Sequence, residues 1–152
     1  MKSSTIELTV QAKRPSGRAA VVAASGFMGL AAFELALALG APLGRAAMGG
    51  THTYLPTGLR IVAALAALLW PLAALVVLRR GGYPVPLISS RVSRVGTWAL
   101  VGLLSLGVVM NLASSSEWER FLQAPLAAIL AVLCLMVARG GEADARGSSR
   151  RA

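Results

Sequence analysis

Glu34 is the only charged residue set well inside an apolar stretch of this chain. It falls in the run Ala19–Leu39, five residues before its end. At helical rise that is roughly 7–8 Å from the run's terminus. A carboxylate in such surroundings must be paired, protonated or hydrated. Two kinds of chemistry follow. One is a site that takes up a proton or a cation. The other is structural: an ion pair with Arg45 or Arg60, or a side chain that snorkels to water. The helical neighbours Phe27, Leu30, Ala31, Leu37 and Ala38 carry no counter-charge, so any partner comes from another segment. Arg60, the second residue of the next apolar run, has the reach to meet it. The spacing predicts a polar clamp of Glu34 with Arg60 or Arg45.

His52 is the sole histidine. One imidazole does not hold a metal alone, and no Cys, Asp or Glu stands at ligand spacing beside it. Bis-histidine haem would need a second chain. A solvent-facing loop residue is the simpler reading, with a pH-sensing role beside Glu34 as the alternative. Asn111 lies one turn after Gly107 near the end of the third apolar run, where an amide bonds to a neighbouring helix. Glu34, Arg45, His52, Arg60 and Asn111 therefore form the candidate polar site. Glu119 and Arg120 fall at the same level, where loop residues are polar anyway. The lone cysteine, Cys134, reads as a small apolar side chain within a helix. No nucleophile–base pair, phosphate loop or metal box appears, so no cofactor is implied and an enzyme ranks third among the readings.

The elements that must position these residues are four apolar runs: Ala19–Leu39, Leu59–Leu78, Val95–Ala113 and Phe121–Ala138. They are 21, 20, 19 and 18 residues long. About 20 helical residues cross a hydrocarbon core of about 30 Å. The chain is 56% hydrophobic and 14% charged, and nearly all the charge lies between the runs. No run carries the polar face that a helix of a soluble protein needs. The expected fold is all-α: four transmembrane helices in an antiparallel bundle. Ala, Leu, Val and Gly dominate the runs, and small residues let such helices approach closely.

Charge sets the expected orientation. With four spans, the N-terminal segment, the middle loop and the C-terminal tail share one side, and together they hold twelve of the fifteen Lys and Arg residues. Arg45, Arg60 and Arg120 fall on the other side. The positive-inside rule then puts both termini in the cytoplasm, in the cell's inner (plasma) membrane. The net charge of +9 needs no nucleic acid to explain it. Anionic lipid on the cytoplasmic face is the expected partner. The first run resembles a signal peptide core, with Ala36-Leu37-Ala38 like a cleavage site. Its length and the 18 residues before it favour an uncleaved helix.

Three domains of organisation result: a polar arm over 1–18, a transmembrane domain over 19–138 and a disordered basic tail over 139–152. Within the arm, Ile6, Leu8 and Val10 alternate like a strand that has nothing to pair with. The loop Gly40–Gly58 carries five glycines and two prolines, which forbid a long regular element. One helical turn fits Arg45-Ala46-Ala47-Met48, and Met48, Tyr54 and Leu55 are apolar enough to lie on the membrane surface. The short third loop makes the last two helices neighbours. Pro71, after Trp70, is expected to kink the second helix. Ser25 and Gly29 give a small-xxx-small pair on the first.

The run Phe33–Gly44, with Gly49-Gly50, Leu55-Pro56, Leu59-Arg60, Asn111–Ser114 and Glu119-Arg120, resembles an uncharacterised family of small four-helix bacterial integral membrane proteins. The resemblance covers about residues 20–138 and implies fold and location, with no activity. A lone glutamate in the first of four helices is also similar to small multidrug-resistance transporters. This chain is longer, its glutamate is displaced and the aromatic pattern is missing. The expected function is a structural or interaction protein with an outward-facing polar site around Glu34, packing against itself or a larger membrane partner. The alternative is a proton-coupled small-solute transporter acting as an oligomer.

Overall fold

The computed structural model describes the backbone of residues 15–149 and the side chains of residues 15–140. The N-terminal segment 1–14, with its strand-like pattern, and residues 150–152 lie outside the described residues. Four long helices make up the fold: α1 (Pro15–Ala38), α2 (Thr57–Arg80), α3 (Ser90–Leu112) and α4 (Ala124–Ser149). A single π-helical stretch, Glu119–Gln123, leads directly into α4. All four apolar runs are thus helices, and each is long and apolar enough to cross a membrane. α1 starts inside the segment read as the arm, because proline at a first helical position costs no hydrogen bond. α4 likewise continues to Ser149, into the segment read as the basic tail.

Local sequence explains where the helices stop and start. Gly40 takes a φ of +94°, and the Ala41 amide returns to the Ala36 carbonyl at 2.9 Å. Gly82 repeats the device after α2, at φ +96°, with Tyr83 donating to Leu78. Both are glycine-terminated helix ends that satisfy otherwise free carbonyls. Ser89 caps α3 by accepting from the Val92 amide. Ser93 and Thr97 are buried in α3, and their hydroxyls donate back to the carbonyls of Ser90 and Ser93. Helix α2 is continuous from Thr57 to Arg80 through Pro71.

Each helix packs chiefly on its neighbours in sequence, and α1 also meets α4. The interior is built from small residues: Ala20, Ala23, Ala63, Ala73 and Ala74, filled by Phe27, Val77, Leu130 and Cys134. Large side chains point outwards instead, as at Leu65, Leu68 and Leu106. No more than a third of each span's apolar window is buried inside the bundle. That inverts the arrangement of a water-soluble bundle and suits a surrounding of lipid, where packing rather than hydrophobic burial holds helices together. Ser25 and Gly29 belong to the outward surface, and a Cβ on Gly29 would meet nothing.

The segment after α1 forms two 3-10 turns, Gly44–Ala46 and Met48–Gly50. Expectation and structure part here. Leu55 does not lie on a membrane surface: it is 6% exposed and packs with Leu37, Ala47 and Ala63, with Met48 against them. Only Tyr54 of the three stays exposed. The loop is therefore part of the bundle, because the end of α1 and the start of α2 leave an apolar socket for it.

Candidate polar chamber

Glu34 stands in the last turns of α1 and faces the interior. It lines a cavity of about 290 Å³ between the helices, at the end where the loop sits. Leu30 and Phe33 of α1, Leu69 of α2, Leu103 and Leu104 of α3 and Leu126 of α4 give the cavity apolar walls. Four polar side chains share it: Glu34, Trp70, Asn111 and Gln123. Each comes from a different element, so the chamber exists only in the packed bundle. Gly107 lies in the same wall, which keeps that side of α3 free of bulk.

The Glu34 carboxylate is not closed by an arginine. Its Oε2 is buried and has no hydrogen-bond partner among the described residues. The expected clamp fails because both arginines have other work. Arg60 Nε donates to the Ala38 carbonyl at 2.9 Å, capping the end of α1, and its guanidinium lies against Gly40. A cation at a helix C-terminus is favourably placed by the helix dipole. Arg45 Nε donates to Thr53 Oγ1 at 3.3 Å within the loop. His52 is exposed, with Nδ1 2.7 Å from Thr51 Oγ1. Of the five residues singled out in the sequence, the structure brings Glu34 and Asn111 into one cavity. Arg45, Arg60 and His52 belong to the loop and helix ends around it.

In the sequence Trp70 stands out only as the neighbour of a proline expected to kink the helix. Its ring stacks on Phe27 with centroids 5.6 Å apart and planes 7° from parallel. Its Nε1 is buried and has no hydrogen-bond partner among the described residues. Gln123 and Glu119 carried no sequence signal beyond polarity at a helix start. A π-helical turn now contains both of them, and such widened turns recur at functional sites.

The loop is tied to that turn and to the residues just before it. Glu119 is 6% exposed, and its Oε1 accepts from the Gly49 amide at 2.9 Å. Ser116 Oγ donates to the Arg45 carbonyl at 2.9 Å, and Ser115 Oγ to the Gly49 carbonyl at 3.1 Å. Gln123 Nε2 donates to the Ala46 carbonyl while its side chain lines the chamber. Gly50 makes this closeness feasible: it has a φ of +71°, and a Cβ there would stand 2.9 Å from both Ser116 Cβ and the Arg45 carbonyl. A single side chain, Gln123, thus connects the chamber to the loop.

The chain matches no protein-family model, no curated protein and no solved structure.

Proposed function

We propose that this chain is a multi-pass protein of the inner (plasma) membrane, an antiparallel bundle with both termini in the cytoplasm, and that its chamber is the site of a proton-coupled carrier for a small solute. The orientation rests on the division of twelve basic residues against three. Anionic headgroups on the cytoplasmic side are the counterpart of the basic segments. A reporter enzyme that is active only outside the cytoplasm, fused after Ala152, should stay silent; activity there would reverse the topology.

The carrier reading rests on one observation: the Glu34 side chain lines the cavity, and its buried Oε2 has no hydrogen-bond partner among the described residues. A scaffold that needed this carboxylate for stability would close it with Arg45 or Arg60, and both bond elsewhere. A carboxylate in an apolar chamber is kept neutral by a proton or by a cation. Replacement of one by the other is the elementary step of coupled transport.

A second reading is an interaction protein without transport, for which the ties between the loop and residues 115–119 give a fixed surface at that end of the bundle. The two separate cleanly in liposomes that hold the purified protein, a pH gradient and an internal pH-sensitive dye. With a panel of amines, amino acids and sugars outside, a carrier collapses the gradient for at least one solute. The Glu34→Gln protein, inserted to the same level, does not. If no solute moves protons and Glu34→Gln alters assembly instead, the interaction reading replaces this one.

A further inference from the structure

A second cavity, a groove of about 600 Å³, opens on the outer surface of the bundle between α1 and α2. It extends from Val21 to Met28 on α1 and from Leu78 to Pro71 on α2. Buried Ala24 and Ala74 form its floor, and exposed Ser25 stands on its rim. Gly81 lies against Ala20, so Val21 and Leu78 share one end of the groove. Seven residues at helical rise make about 10 Å, which is less than half of a hydrocarbon core of about 30 Å. Met28 and Pro71 lie near the middle of their apolar runs, so the groove stops near mid-span. Its whole length belongs to the half of the bundle that adjoins the basic segments. Beyond Val21 and Leu78 the same helix faces turn basic. Arg18 precedes Val21 by three residues and Arg79 follows Leu75 by four, each one turn further along its helix. Arg79 is held there, since its Nε donates to the Ile88 carbonyl at 3.1 Å and its Nη2 to Ser90 Oγ at 3.4 Å.

We propose that this groove seats one acyl chain of an anionic phospholipid from the cytoplasmic leaflet, with the lipid phosphate at Arg18 and Arg79. Length selects the occupant first. A groove confined to one half of the span fits a chain from one leaflet, whereas a helix of a second copy would run the full span. Charge selects it next. The two arginines at one end complement a negative headgroup, and a guanidinium presents paired donors to phosphate oxygens. The walls admit only an apolar body, because Ser25 is the one polar side chain among the described residues that line them. This site rests on the reading that places the basic segments at the cytoplasmic face, and it is separate from the chamber of the carrier.

Native mass spectrometry of the full-length protein in micelles tests it with two probes that share their chains, palmitoyl-oleoyl phosphatidylglycerol and palmitoyl-oleoyl phosphatidylcholine. The anionic lipid should bind at least roughly tenfold more tightly. Arg18→Gln and Arg79→Gln should each weaken it roughly fivefold and leave the zwitterionic lipid unchanged. Ser25→Phe, which fills the groove from its exposed rim, should weaken both lipids to a similar degree. The comparison of lipids on the native protein stands even if a variant folds poorly. Equal binding of the two lipids overturns the proposal, and so does full retention of the anionic lipid by Ser25→Phe. If Ser25→Phe keeps the lipid and instead dissociates a dimer, the groove seats a second copy and the proposal falls. No lipid preference together with a silent reporter after Ala152 removes the lipid site and leaves the topology standing. No preference together with an active reporter removes both.

Discussion

At the end away from the loop, Gly81 lies so close to α1 that a Cβ would overlap the Cβ of Ala20, and a Cβ on Gly140 would come within 2.5 Å of Ser16 Cβ. Ala19, Ala20 and Val137 are fully packed there. At the loop end, contact is made by polar bonds between distant segments: Glu119 to Gly49, Ser116 to Arg45, Gln123 to Ala46. The first end achieves proximity by removing side-chain atoms. The second keeps larger side chains, holds them with hydrogen bonds and leaves space between them. That space is the chamber. A bundle closed by small residues at both ends would have no room for Glu34, Trp70, Asn111 and Gln123 to line a cavity. The two glutamates of the loop end sharpen the point: Glu119 is buried and answered by an amide, whereas Glu34 Oε2 is buried and has no partner among the described residues.

Substitutions at the two ends should differ in size and in kind. Gly81→Val should have the largest effect, a loss of about 3 kcal/mol, because atoms are forced into a packed contact with Ala20. Reversible unfolding in mixed micelles, followed by circular dichroism, measures it; a native-like midpoint would show that this end is not held by close packing. Glu119→Ala should cost about 2 kcal/mol, since a partly buried Gly49 amide loses its acceptor. It should also speed proteolysis within the loop, and an unchanged cleavage rate would mean that the polar ties do not hold the loop. Arg60→Gln should cost about 1 kcal/mol through the lost bond to the Ala38 carbonyl. A much larger loss, shared with Glu34→Gln in a double-mutant cycle, would restore the clamp. The smallest effect on stability is expected from Glu34→Gln itself, within about 1 kcal/mol, because the amide matches the neutral carboxyl in size and Oε2 has no hydrogen bond to lose among the described residues. A clear destabilisation in the same unfolding assay would show that the carboxylate has a structural partner.

Much of the architecture was legible in the chain. Apolar runs of 18 to 21 residues can satisfy their backbone in lipid only as helices, so four helices follow from length and hydropathy. The helix ends were equally local, because Gly40, Gly82 and Ser89 act through their own backbone or the next turn. The prominence of Glu34 also came from the sequence, since one carboxylate among apolar residues stands out in any one-dimensional reading. Its partners did not. Arg60 has the charge and reach to pair with Glu34, and nothing local shows that it turns to the Ala38 carbonyl instead. Leu55 reads as a surface residue until the socket between α1 and α2 exists. Trp70 and Gln123 became part of the chamber only when α2 and α4 were set beside α1 and α3. Helix formation and termination depend on neighbours within a few residues, so the sequence alone determined them. The relative rotation and spacing of four helices depend on contacts between residues far apart in the chain, and those decided which polar groups meet and which are left facing a cavity.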